Sequence, residues 1–347
     1  MRIGIYTHYA HCDQAYLAIR LADFLQQHGV AYTLYSAETP AKLKTRYDNA
    51  ILSRREIKYT DWAKNCSAVV WTQIPRIEQV SYANRLGVTT VIAPMCQELR
   101  PPFRKVIRQA GHLVALTAES RELYQSVYKF KNTVLIPFDA GLPVVRKEAA
   151  VNARRIRLLL PWFDRNARCA QPVFLSYLQD ILLSMPETHL TTAITSSRFA
   201  PPIAKFFKNL ARRTDGRVTL LRAIAVKDRP QLFLNHDLTL LPAECDNYGF
   251  CGLTSITCGT PILTFAVSPQ IDFAYPDTNS VVIKTRVNYD EHGVAHADPD
   301  YARYFKALQV LIAEPRHIDA MNKRINYNLN ARRKSFEAGW QSILRLG

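Results

Sequence analysis

The segment Leu240–Phe265, LLPAECDNYGFCGLTSITCGTPILTF, holds the residues of this chain best suited to chemistry on a phosphorylated ligand. An apolar strand, HDLTLLP, runs into a polar turn. A helix follows, and Cys258-Gly259-Thr260-Pro261 then leads into a second strand, PILTF. The turn brings Asp246 and the backbone of Tyr248, Gly249 and Phe250 to the helix N-terminus, where N–H groups without helical partners and the helix dipole favour anions. Gly249 lets the backbone approach a phosphate closely. One turn further on, Thr254 faces the same way as the loop and could hydrogen-bond a ribose or a sugar. A site for a nucleoside diphosphate is the expectation.

Those residues resemble the donor-site signature of retaining GT-B glycosyltransferases of the E-x7-E type, E-x-F-G-L-x-x-x-E-A-x-A-x-G-x-P. Asp246 falls on the first Glu, Tyr248 on Phe, Gly249 on Gly, Phe250 on Leu and Thr254 on the second Glu, while Gly259 and Pro261 fall on the closing G-x-P. Two positions depart from the pattern. Asp246 is a shorter carboxylate, and Thr254 lacks the carboxylate that grips ribose hydroxyls in that family. The resemblance covers residues 155–345 well and the first half in layout only. It implies a nucleotide-sugar donor, a UDP-sugar above all, with no cofactor and no metal required.

The resemblance also directs attention to the loop after strand Ile156–Leu160. In the family an Arg and a Lys there clamp the donor diphosphate. In this chain Arg168 sits close to the Lys position, Arg165 is the nearest other cation, and Phe163 occupies the Arg position. Guanidinium groups suit a diphosphate because they bind its oxygens in pairs. By position alone, the loops bearing Arg198 and Ala225 also face the donor.

In the first half, the loop His8-Tyr9-Ala10-His11-Cys12-Asp13 follows the first strand, on the acceptor side by analogy. His11 with Asp13 could orient or deprotonate an acceptor hydroxyl, and His8 could contact it. Asp13 is equally suited to cap the helix that follows. Asp298-Pro299-Asp300 looks like a D-x-D metal motif, but it precedes a helix and reads as a cap. Two basic clusters, Lys42–Lys58 and Pro101–Arg108, offer Arg54, Arg55, Lys58, Arg104, Lys105 and Arg108. Tyr47, Tyr59 and Trp62 interleave with or follow the first cluster, a composition that can grip phosphates and stack on bases.

These residues need a scaffold, and the periodicity supplies one. Short β-rich runs alternate with helical stretches through both halves: Arg2–Thr7, Ala31–Ser36, Ser67–Thr72, Thr89–Ala93, Leu113–Thr117 and Thr133–Pro137, then Ile156–Leu160, Leu190–Ile194, Val218–Leu221 and Leu238–Leu241. That alternation implies α/β architecture with parallel, doubly wound sheets. Residues 1–146 are expected to form a Rossmann-like acceptor domain and residues 155–325 a Rossmann-like donor domain facing it across a cleft. The resemblance further implies that residues 326–347 form a closing helix that returns to the first domain.

The 347 residues, 48% apolar and 21% charged, suffice for two cores and exclude a disordered chain. Seven cysteines without a C-x-x-C pair point to reduced thiols and a cytoplasmic protein. The formal charge of +16 is spread over both halves, so the expected partner is a polyanion. The reading is a hexosyl or pentosyl transferase acting on hydroxylated-base DNA, as phage DNA glycosyltransferases of the same fold do. The alternatives are a membrane-associated transferase for a lipid-linked or polysaccharide acceptor, and an inactive GT-B-like protein that binds nucleic acid.

Overall fold

The computed structural model describes residues 1–9, 13–38, 45–95, 101–145, 147, 150–162, 172–194, 200–221, 224, 228–246, 249–325 and 329–346. It divides into two units: residues 1–141, 289–294 and 330–347, and residues 142–288 with 295–329.

The first unit contains β1 (Arg2–Thr7), α1 (Asp13–Gln27), β2 (Ala31–Ser36), β3 (Ile51–Ser53), α2 (Tyr59–Ala63), β4 (Ala68–Trp71), α3 (Ile77–Arg85), β5 (Thr89–Ile92), α4 (Arg104–Ile107), β6 (His112–Ala115), α5 (Ala118–Ser126) and β7 (Thr133–Leu135). Its sheet has the order β3-β2-β1-β4-β5-β6-β7 and all its pairs are parallel. One face carries an aromatic cluster in which Tyr35 stacks on Tyr6 at 5.5 Å and lies 4.9 Å from Trp62. Gly4 is the small residue that admits the Trp62 ring, since a Cβ there would lie 2.8 Å from it.

The second unit runs β8 (Ile156–Trp162), α6 (Pro172–Ser184), β9 (Thr188–Ile194), α7 (Ala200–Arg213), β10 (Val218–Leu221), α8 (Arg229–Leu234), β11 (Leu238–Leu241), α9 (Phe250–Thr257), β12 (Ile262–Phe265) and β13 (Ser280–Ile283). The hairpin β14 (Arg286–Tyr289) and β15 (Ala295–Asp298) follows, then α10 (Tyr301–Ala313), α11 (Arg316–Arg324) and α12 (Leu329–Leu344). Its parallel sheet has the order β10-β9-β8-β11-β12-β13.

The central strand β8 shows why this sheet is covered on both faces. Leu158 and Leu160 join Phe174 and Leu178 of α6, while Leu159 points the other way to Phe233 and Cys258. Alternate side chains leave a strand on opposite faces, so a run of leucines requires two apolar layers. In both sheets the strand order reverses beside the first strand of the unit, between β1 and β4 and between β8 and β11. Loops leaving the carboxyl ends of strands at such a reversal diverge to opposite faces and leave a crevice between them.

From residue 330 onward the chain belongs to the first unit. Phe336 and Trp340 of α12 are fully buried there, and Phe336 meets Phe24 edge to face at 6.1 Å. Among the described residues no helix is long and apolar enough to cross a membrane.

The structure adds elements that strand and helix periodicity left out. Ile51–Ser53, inside the first basic cluster, is an edge strand. Arg286–Asp298 forms a hairpin, and Arg316–Arg324 is a further helix. Strands of three or four residues are too short to display a period.

Candidate functional site

At the carboxyl end of β11, in the reversal crevice of the second unit, the chain leaves the sheet and enters α9 at Phe250. Gly249 is the cap residue, in the left-handed region at φ 69° and ψ 29°. A Cβ on it would lie 2.3 Å from Cε1 of Phe273 and 3.1 Å from Pro269. The space beside this glycine is therefore taken by Phe273, which corrects the expectation that it serves close approach of a phosphate on that side. With glycine as the cap, no side chain occupies the helix N-terminus as a cap, and that end keeps its affinity for anions.

One hydroxyl ties helix α9 to the neighbouring strand β11, and another closes back on the helix itself. Ser255 donates to Thr239 Oγ1 at 2.7 Å, or to the carbonyl of Thr260 at 2.8 Å. Thr257 donates to the carbonyl of Leu253 at 2.7 Å. Thr254 differs from both. It is 1% exposed and its Oγ1 is buried without a hydrogen-bond partner among the described residues, so this hydroxyl does not stand open in the loop as expected. A buried hydroxyl left unpaired costs about 1–3 kcal/mol.

Asp246 is half-buried, and its Oδ2 accepts a hydrogen bond from Nε2 of Gln270 at 3.2 Å. Gln270 opens a short 3-10 turn, Gln270–Asp272, beyond β12. Sequence patterns do not reveal it, because a lone glutamine in a loop carries no period; only the adjacency of β11 and β12 brings it to Asp246. Arg165, Arg168, Arg198, Ala225 and Tyr248 lie outside the described residues. Phe250 opens α9 and is half-buried.

In the first unit His11 lies outside the described residues, and Asp13 opens α1 with its side chain outside the description. Nδ1 of His8 lies 3.3 Å from Oε2 of Glu38. Tyr9, beside it, is 2% exposed; its hydroxyl donates to Asp48 Oδ1 at 2.7 Å and lies 2.6 Å from Thr45 Oγ1. That network ties the loop after β1 to the turn before β3, and burial raises the Tyr9 phenol above its ordinary range.

Arg54, Arg55, Lys58, Lys105 and Arg108 are exposed. Arg104 is not comparable: its guanidinium lies over the ring of Tyr128 at 5.0 Å and its Nε is buried. The aromatic half of the basic-cluster reading is overturned. Tyr47 is 4% exposed and Trp62 2%. Tyr47 donates to Asp23 at 2.7 Å and Trp62 Nε1 to Thr33 Oγ1 at 3.0 Å. The half-buried Tyr59 donates to the carbonyl of Gln79 at 3.0 Å. Strand β3 folds this cluster against the core, so its rings pack instead of facing solvent.

Asp300 caps α10 by accepting from the N–H of Arg303 at 2.9 Å. Among the described residues no group of three or more His, Cys, Asp or Glu side chains is placed to hold a metal ion.

The opposite edge of the second sheet carries a buried polar cluster. Nζ of Lys147 donates to Thr260 Oγ1 at 2.5 Å and to the carbonyl of Phe233 at 3.3 Å, and also contacts the carbonyl of His236. Burial pushes Lys147 down to about 8, with Asp237 opposing and Arg157 assisting. Burial likewise lowers His236 to about 4. Arg157 and Asp237 pair through Nη2–Oδ1 at 2.7 Å and Nε–Oδ2 at 3.1 Å. These groups lie at the amino ends of β8, β11 and β12, away from the turn at Asp246.

No protein-family model matches the sequence, and no curated protein matches it. Solved structures do match in fold. Anabaena HepE in complex with UDP and glucose superposes with a TM-score of 0.73 at 9% identity, covering 99% of each chain. Sucrose-phosphate synthase from Thermosynechococcus elongatus gives 0.70 at 12% identity, over 99% of this chain and 98% of that one. WaaG, a glycosyltransferase involved in lipopolysaccharide biosynthesis, gives 0.62 at 16% identity, over 98% and 99%. Two parallel-sheet α/β units with this strand order make the fold GT-B.

Proposed function

We propose that this chain is a glycosyltransferase that moves a sugar from a UDP-sugar to a hydroxyl on a polyanionic acceptor. The observation that carries the reading is the Gly249-capped N-terminus of α9, set at the strand-order reversal of the second sheet with Asp246 in the same turn. A helix end suits the diphosphate and a carboxylate suits the hydroxyls of a sugar. The fold neighbours add weight, since one of them was solved with UDP-glucose and another with UDP and N-acetylglucosamine.

In this reading α9 and two cations that follow β8 in the sequence, Arg165 and Arg168, neutralise the charge that develops on the leaving diphosphate. The buried hydroxyl of Thr254 stands where the resembled family places a carboxylate. The resemblance of Asp246–Pro261 extends the proposal to retention of anomeric configuration in a hexosyl or pentosyl transfer.

The acceptor proposed first is hydroxylated-base DNA, on the strength of the +16 charge and the exposed cations of the first unit. Burial of Tyr47 and Trp62 removes the stacking surface that favoured bases. The remaining cations suit an anionic lipid-linked or polysaccharide acceptor equally well.

Thermal melts with UDP, GDP, ADP and a panel of UDP-sugars, in the absence of divalent metal, test the donor. A ligand at 100 times its Kd stabilises the native state by about 2.7 kcal/mol. Stabilisation by UDP and at least one UDP-sugar is expected. No shift with any nucleotide, or a shift only with added metal, overturns the donor reading. Mass gain on modified duplex against anionic liposomes carrying a glycan acceptor then decides the acceptor.

A further inference from the structure

Gln270 is fully buried, yet only one end of its amide is partnered. Nε2 donates to Asp246 Oδ2, while Oε1 is buried and has no hydrogen-bond partner among the described residues. The amide cannot be turned round, because its oxygen would then face a carboxylate oxygen, acceptor against acceptor. The neighbouring buried amide behaves differently. Asn279, also fully buried, donates from Nδ2 to the carbonyl of Phe273 at 3.0 Å and accepts from the N–H of Tyr275 at 2.8 Å. This part of the fold satisfies both ends of one amide and leaves half of the other unpaired. A buried acceptor without a partner destabilises the folded state, and an apolar side chain of the same size would not.

The turn that carries Gln270 is braced against the donor turn. Its backbone carbonyl accepts from Ala274 at 2.7 Å and from Phe273 at 3.1 Å. Pro269 and Phe273, on either side, fill the space beside Gly249. The amide nitrogen is therefore held at a fixed place relative to the cap of α9 and the carboxylate of Asp246.

We propose that Gln270 is a positioning residue for the sugar-binding carboxylate: its amide fixes the plane of Asp246, and the chain keeps it at a cost in stability. The proposal rests on the reading of the Asp246–Gly249 turn as the donor site. Gln270 itself acts through Asp246, and its contribution falls on the sugar and not on the nucleotide, whose diphosphate the end of α9 would hold.

The test separates positioning from packing. Gln270→Met keeps the volume, removes the unpaired oxygen and takes away the hydrogen bond that the amide gives Asp246. The apo melting temperature of that variant should equal or exceed that of the unmodified protein, and its Kd for UDP should change by less than about two-fold. Its Kd for the best-bound of UDP-glucose, UDP-galactose and UDP-N-acetylglucosamine should rise by about ten-fold or more.

Gln270→Glu adds a readout that packing alone would not move. At pH 8 two adjacent carboxylates repel, and sugar-nucleotide binding should fall as in the Met variant. Toward pH 5.5 a proton shared between them restores a donor to Asp246, and binding should recover to within about three-fold of the unmodified protein.

Unchanged UDP-sugar affinity in Gln270→Met overturns the proposal and leaves the donor site standing. So does a loss that runs parallel for UDP, UDP-sugar and melting temperature, without acid rescue in the Glu variant. An unmodified protein that binds no nucleotide overturns the donor reading and this proposal with it.

Discussion

Arg20 and Asp139, on α1 and in the segment after β7, form a buried ion pair in which Nε and Nη2 both reach Oδ2, at 3.0 and 2.8 Å. Their side chains are 5% and 8% exposed. The same guanidinium lies over the ring of Phe336 on α12 at 4.7 Å and 3.6 Å from Glu337. Gly141, at φ 71°, has no Cβ to strike Arg20, which would lie 2.5 Å from it. One arginine thus joins α1, the end of the first unit's continuous chain and the returning helix.

Removing Arg20 takes from the buried Asp139 the counter-ion that lies 2.8 Å from it. Arg20→Met is expected to destabilise the protein by about 3–5 kcal/mol, read as a fall in the urea midpoint. A midpoint unchanged in Arg20→Met would show that Arg333, 3.5 Å from the same oxygen of Asp139, suffices alone.

Gly249→Ala combines two costs, a left-handed backbone and a clash with Phe273. Gly29→Ala isolates the first, because Gly29 has φ 65° with no described atom within 4 Å of its Cβ position. Gly29→Ala should cost about 1 kcal/mol, and Gly249→Ala should cost clearly more, within about 2–4 kcal/mol. Equal melting temperatures for the two variants would show that Phe273 yields without penalty.

His236 is held neutral by burial, at about 4 against an ordinary 6.5. The unfolded chain therefore binds a proton that the native one refuses between those values, and stability falls as pH drops from about 6.5 toward about 4. Its ring Nδ1 lies 2.6 Å from the carbonyl of Leu232, an interaction that Gln can replace. His236→Gln should flatten the stability–pH curve over that window and leave it unchanged above it. An identical acid slope in the two proteins would place the titrating group elsewhere.

The exposed cations of the first unit are separable from the turn at Asp246, which belongs to the second. Replacing Arg54, Arg55 and Lys58 by Gln should reduce the salt dependence of binding to a polyanion, by roughly 0.9 in the log–log slope for each duplex phosphate that is no longer neutralised. UDP affinity should not change. Arg104→Ala should lower the melting temperature instead, because its guanidinium no longer packs on Tyr128. A salt slope indifferent to the triple variant removes this patch from the acceptor site.

The architecture was legible in the sequence because its signals are local. Leu158-Leu159-Leu160 announces a strand covered on both faces. The cap at Asp300 was legible for the same reason, since an N-cap hydrogen bond spans only three residues. Periodicity fails for Ile51–Ser53, where three residues cannot show a repeat.

What the tertiary structure alone decided is which side chains have partners. The sequence placed Tyr47 and Trp62 among cations; only the folding of β3 and α2 against the sheet shows them donating to Asp23 and Thr33. Gln270 is 24 residues from Asp246, and nothing between them encodes their hydrogen bond. It arises because β11 and β12 are neighbours in the sheet, which carries the turns at their carboxyl ends to the same place. Local chemistry sets strands, helices and caps, whereas burial and hydrogen-bond partnership depend on strands that meet only after the chain has folded.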